Sequence, residues 1–112
     1  SGEHVFQVAN ADTPERIANH RALEGLDIPR TGVATRSGLL LTKSLLFVGE
    51  GVGGSPWLRA LDKQTGDIVA EIELPNTQTG VPMTYEHEGK QYIVMAVSGS
   101  GQAAEIIALA LP

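Results

Sequence analysis

The chain has no cysteine, so disulfides, thiolate metal sites and a thiol nucleophile are all excluded. Aromatic residues make up only 4% of it, so any core must rest on Leu, Val, Ile and Ala, within a hydrophobic fraction of 42%. Basic residues are few: eight Lys and Arg against thirteen Asp and Glu give a net charge of −5. None of them cluster, which argues against nucleic acid and against an anionic membrane surface as partners. No apolar run approaches the roughly 20 residues needed to span a bilayer, and no secretory leader pattern opens the chain. The three histidines, His4, His20 and His87, have neither metal-ligand spacing nor a carboxylate at a useful offset, and no nucleophile–base pairing is visible.

What the chain does have is a repeat. Displaced by 48 residues without a gap, Gly51 falls on Gly99, Gly53 on Gly101, Ala60 on Ala108 and Leu61 on Leu109. The run Leu45-Leu46-Phe47-Val48 falls on Ile93-Val94-Met95-Ala96. A period of that size filled with short apolar runs fits stacked β units of the propeller-blade kind. A single such unit cannot bury both of its faces.

The pattern from residue 39 onward is strands and tight turns. Strands are expected at Leu39–Thr42, Leu45–Gly49, Trp57–Asp62, Asp67–Leu74, Met83–Glu86, Gln91–Ser98 and Glu105–Leu111. In the fourth of these, Ile68, Ala70, Ile72 and Leu74 alternate with Val69, Glu71 and Glu73, a period of two with one mostly polar face. Residues 2–8 align with 66–72, and 2–9 are expected to be the last strand of a preceding blade. Residues 10–38 form a helical and loop insertion, with Thr13-Pro14-Glu15 starting a helix over about 14–23. Residues 39–74 are then one complete blade of four strands, and 81–112 are the first three strands of a final one. The fold class is therefore all-β: about two four-stranded antiparallel propeller blades, a fragment of a larger propeller, with a short helical insertion.

Meander topology puts the short polar turns 43–44, 63–66 and 87–89 at one end. The longer loops 10–38, 50–56, 75–82 and 98–104 lie at the other. Function concentrates on long loops held by a rigid scaffold. In a propeller the first strand of each blade lines the central channel. Thr35 and Arg36 before one such strand, and Thr79, Gly80 and Val81 before the other, are thus the candidate cofactor or substrate contacts. Glu50, among the glycines of 49–54, either faces a cofactor or metal or is a solvated loop carboxylate. That glycine run leads into a strand rather than a helix, which argues against a phosphate cradle. Trp57 either stacks on a flat ligand or fills a core or interface gap.

Ala60-Leu61-Asp62-Lys63-Gln64-Thr65-Gly66 resembles the blade signature of the pyrroloquinoline-quinone (PQQ) propellers. Val81-Pro82-Met83-Thr84-Tyr85, then Gly89-Lys90-Gln91-Tyr92-Ile93-Val94, and the ending Ile107-Ala108-Leu109-Ala110-Leu111-Pro112 resemble the last blade of the PQQ-dependent dehydrogenases, in the membrane glucose dehydrogenase-like branch. The resemblance implies an eight-bladed propeller that binds PQQ and a calcium-type ion, oxidises sugars or alcohols, and works in the periplasm. This chain would then be its C-terminal portion, with the remaining blades as its partners. No tight cofactor binding and no catalysis would be expected of it alone. The family commonly carries a docking Trp four residues after the signature Gly. Here that position is Ala70, and Phe6 in the first copy. The alternative reading is a self-associating structural or binding module, in which residues 2–9 of one copy complete the open sheet of another.

Overall fold

A computed structural model describes residues 2–110. Seven strands form two antiparallel sheets in simple meander order. The first sheet holds β1 (Leu39–Leu41), β2 (Leu45–Gly49), β3 (Trp57–Asp62) and β4 (Ile68–Glu73). The second holds β5 (Met83–His87), β6 (Lys90–Val97) and β7 (Glu105–Ala110). All seven expected strands after residue 38 are present, each within about two residues of the expected ends, and the architecture is the all-β pair of leaves that the repeat implied. Leu111, expected within the last strand, lies with Ser1 and Pro112 outside the described residues.

The sheets stack face to face. Phe47, Leu58 and Ala60 project from one face of the first sheet, and Ile93, Met95 and Val97 from the facing side of β6. Leu74 joins them, and Ile107 and Leu109 pack against the cluster from β7. This layer is the main core; Val48 and Leu61 on the other face of the first sheet, and Ala11 in the insertion, are buried as well. The opposite faces are open in part: Leu39 and Leu41 on the first sheet, and Met83, Tyr85 and Ile106 on the second, are large, apolar and exposed.

Two turns show how sequence sets the leaf. The link from β3 to β4 is closed by Asp62, whose carboxylate accepts from the backbone N–H of Gln64 (2.8 Å) and Thr65 (3.1 Å). Thr65 Oγ1 then donates to Asp67 (2.7 Å), and Gly66 completes the turn at φ +79°, where a side chain would be strained. The link from β5 to β6 is Glu88-Gly89, with φ of +51° and +74°, the positive-φ pair that tight hairpins need.

The structure corrects the gapless repeat. Arg59 and Ile107 are equivalent in β3 and β7, but the residues opposite them are Val48 and Met95, one short of the 48-residue displacement. The second strands therefore align with one residue fewer, and the extra residue falls in loop 98–104. A second correction concerns β4. A bulge sets Ala60 opposite Ala70 but Leu61 opposite Ile68. Val69 is the extra residue, so Ile68 turns to the other face from Ala70 and Ile72.

The insertion is less helical than expected. Only α1 (Glu15–Ala18) and one 3₁₀ turn (Arg21–Leu23) form, and α1 buries no residue. So short a helix has little stability without an apolar face to dock. Thr13 does not cap it; its hydroxyl accepts from the Thr31 N–H instead (3.1 Å). Residues 2–9 pair with no strand among the described residues. The outer edge of β3 is already taken by β4. The segment instead lies against the first sheet, where the Phe6 ring reaches within 2.6 Å of the place a Gly66 Cβ would occupy.

Leu58 is fully buried while Ile106 is 76% exposed. Leu58→Ala is expected to lower unfolding stability by about 2–5 kcal/mol. Ile106→Ala should change it by no more than ~0.5 kcal/mol. Urea denaturation of the two variants reads both.

Candidate functional site

The long-loop end gathers the segments that precede β1 and β5. Gly38, just before β1, packs directly on Val81: a Cβ at Gly38 would lie 2.6 Å from Val81 Cα and 2.7 Å from its Cγ2. Only glycine permits that approach. The Gln78 side chain ties the two segments, donating from Nε2 to the carbonyls of Gly38 (3.0 Å) and Gly80 (2.6 Å). Thr79 is held by its N–H to the Ala96 carbonyl (3.0 Å). The half-buried Thr35 accepts from Asn10 Nδ2 (3.2 Å), with Ser37 Oγ 3.5 Å from its hydroxyl. Arg36 is exposed, and among the described residues it forms no ion pair and no side-chain hydrogen bond. Thus Thr35, Arg36, Thr79, Gly80 and Val81, chosen from sequence, lie on two strand starts that the fold holds side by side.

Glu50 lies in the adjoining loop, where Gly51 packs on Thr35 and Ser37, and it is not solvated. It is 3% exposed, and its Oε1 accepts from Arg59 Nη1 at 2.5 Å. Its Oε2 accepts from the Ser55 N–H at 2.6 Å. Arg59 is also 3% exposed, and its Nε donates to Glu71 Oε1 (2.7 Å), the residue directly opposite it on β4. Burial pulls the Arg59 pKa down, but the hydrogen bonds and charges of Glu50 and Glu71 outweigh that pull and hold it above its ordinary value. The guanidinium is therefore charged at every accessible pH. The glycine-rich loop folds around the loop's own carboxylate: Gly51 and Gly53 take φ of +73° and +91°, and Gly54 packs on the Glu50 side chain. Its anion is built in, which leaves no cradle for a phosphate.

A cavity of about 420 Å³ lies between residues 8–10, Pro29 and Arg30 on one side and Val48, Arg59, Leu61 and Ile68 on the other. It is mostly apolar and contains none of the sequence-chosen site residues. Glu50 borders a separate cleft with residues 11–15 and 53–55. Trp57 is half-buried at the start of β3, opposite Glu73. Among the described residues, no three His, Asp or Glu side chains converge as a metal site, and no helix is long and apolar enough to cross a membrane.

Residues 1–93 match the family model described as "PQQ: Glucose/ethanol/alcohol dehydrogenase, beta-propeller domain". The chain belongs to this family. Among curated relatives of the PQQ propellers, the glycerol dehydrogenase large subunit of Gluconobacter thailandicus is 30% identical over 97 residues, which are 87% of this chain and 12% of that protein. Quinoprotein glucose dehydrogenase A of Acinetobacter calcoaceticus is 34% identical over 89 residues, 74% of this chain and 11% of that protein. The quinoprotein glucose dehydrogenase of Escherichia coli (strain K12) is 38% identical over 61 residues, 50% of this chain and 8% of that protein. The last two support the glucose dehydrogenase-like branch of the PQQ family. The chain spans only about a tenth of the length of these relatives.

Sequence reasoning missed Arg59, Asn10 and Gln78. Arg59 carried a signal: a lone cation in the middle of the apolar strand Trp-Leu-Arg-Ala-Leu-Asp has to find a buried partner. Asn10 and Gln78 carried none, because their partners are backbone carbonyls and a hydroxyl, all but the Gly80 carbonyl remote in sequence. Arg59→Ala strands the Glu50 carboxylate and is expected to cost about 3–5 kcal/mol. Glu71→Ala, at a half-exposed carboxylate, should cost about 1 kcal/mol or less. Equal losses from the two variants in chemical denaturation would contradict this ranking.

Proposed function

We propose that this chain is the C-terminal propeller portion of a PQQ-dependent sugar or alcohol dehydrogenase, supplying scaffold and part of the cofactor rim. The observation that carries the reading is the side-by-side placement of the segments before β1 and β5 in a member of this family. PQQ is a flat quinone bearing three carboxylates. The donor set fits such a group: an uncommitted guanidinium on Arg36, hydroxyls on Thr35, Ser37 and Thr79, and the glycine backbone at Gly80. Arg36 would hold a carboxylate, the hydroxyls and the Gly80–Val81 backbone would orient the ring edge, and Val81 would shield it from water. Glu50 is left out of that role, since both of its oxygens are engaged by Arg59 and Ser55. When bound, PQQ supplies the two-electron oxidation. This chain contributes no catalytic residue, and the proton-abstracting group, like the calcium ligands, belongs to blades outside it.

In this reading residues 2–9 are the last strand of a preceding blade, 10–38 an insertion, 39–74 a full blade and 81–112 the first three strands of the final one. The docking of Phe6 on Gly66 supports the first boundary, because it puts a ring at the signature's docking position onto the turn of the following leaf. The workplace is the periplasm, as in the family.

A second reading is favoured by the open apolar faces, Leu39 and Leu41 on one sheet and Met83, Tyr85 and Ile106 on the other. Here copies of the chain stack head to tail, and residues 2–9 of one pair with β7 of the next. Light scattering at high concentration separates the readings: a strict monomer removes the second.

The test of the first uses the protein expressed from its complete reading frame. Arg36→Ala is expected to weaken PQQ binding about tenfold or more, the loss of one charge-assisted hydrogen bond. Residues 1–112 alone, with PQQ, calcium, a sugar or alcohol and a dye acceptor, should show no turnover. Turnover by that piece, or unchanged PQQ affinity in the variant, overturns the reading.

A further inference from the structure

We infer that Gln78 is a positioning residue of the cofactor rim, an inference that rests on the reading of that rim given above. Gln78 lies in the link between the two sheets and is 1% exposed. Its backbone is fixed: Gln78 bridges to Val97, Thr79 N–H donates to Ala96, and Ser98 N–H donates to the Thr77 carbonyl (3.0 Å). The side chain thus projects from a rail on β6. Its single amide nitrogen spends both protons on carbonyls, one at Gly38 before β1 and one at Gly80 before β5.

Those carbonyls belong to the two segments that carry the rim. Arg36 is two residues before Gly38, and Thr79 and Val81 flank Gly80. Linking both carbonyls to one rigid nitrogen fixes the spacing of the two segments, so that a single flat ligand meets both. An apolar residue of equal volume would fill the space without fixing that spacing. The other end of the amide points the same way. Gln78 Oε1 is buried with no hydrogen-bond partner, pressed against Gly49, where any Cβ would collide with it. An unmatched buried acceptor is costly, and filling space does not require it. Glycine at 49 is what lets the amide occupy this position, and the Gly49 carbonyl is held from the other side by Asn10 Nδ2 (3.1 Å).

The test uses the protein from its complete reading frame and the variant Gln78→Met, which keeps the volume and removes both donors. The ¹³C shifts of the Gly38 and Gly80 carbonyls are expected to move in the PQQ-free protein. PQQ is expected to bind about tenfold more weakly in a variant whose folded state is intact. A purely structural role would lower the urea midpoint and leave the PQQ affinity of the folded protein unchanged; that result overturns the inference. Arg36→Ala separates the two levels. If it weakens PQQ binding while Gln78→Met does not, the rim stands and the positioning role falls. If neither variant weakens binding, the rim itself falls. Should Gln78→Met not fold, the Gln78 side-chain amide protons of the unaltered protein are read by exchange. Slow exchange that slows further on PQQ saturation supports the role, and exchange indifferent to PQQ overturns it.

Discussion

The stacking of one sheet on the other is the contact from which the rest of the arrangement follows. Each leaf is too thin to enclose a core, so Phe47, Leu58 and Ala60 are dry only because Ile93, Met95 and Val97 cover them. That layer sets the distance between the two sheets. It also brings the segment before β1 beside the segment before β5, close enough for Gly38 to touch Val81. The adjacency of these two segments at the long-loop end is thus a by-product of apolar burial farther down the strands.

Polar side chains finish what the apolar layer begins. Around Gly49 three of the loops at the long-loop end converge. Asn10 comes from the insertion and holds the Gly49 carbonyl, Gln78 comes from the inter-sheet link and lies on its Cα, and Glu50 follows it in chain and turns back to Arg59. Each of these residues bonds across at least one change of element. The loops are long, yet their inner residues are fixed by groups with few alternative partners. The exposed residues that remain uncommitted, Arg36 above all, therefore project from a firm base.

Much of the architecture was legible in the chain, for identifiable reasons. Strand positions followed from apolar runs separated by turn residues, and the Asp62-to-Gly66 turn announced itself through side chains that bond their own backbone. The choice of Thr35, Arg36, Thr79, Gly80 and Val81 rested on meander topology together with the channel-lining place of each first strand in a propeller. Three things were not legible. The one-residue slip in β6 was hidden because Leu-Leu-Phe-Val and Ile-Val-Met-Ala are uniformly apolar and align in any register. The bulge at Val69 was hidden because Ile68 and Val69 are interchangeable in a hydrophobic pattern. The buried role of Glu50 was hidden because an acidic residue among glycines reads as solvent-facing until Arg59 is brought beneath it.

The slip in the repeat has a further bearing on how such leaves keep their order. Glu50 and Arg59 of the first leaf correspond to Val97 and Ile107 of the second. Two duplicated modules thus carry different chemical keys at one locus, an ionic pair in one and hydrocarbon in the other. Transposing them would seat hydrocarbon where a carboxylate is awaited, and a carboxylate where hydrocarbon is. A mismatch at this one locus thus opposes the exchange of one leaf for the other.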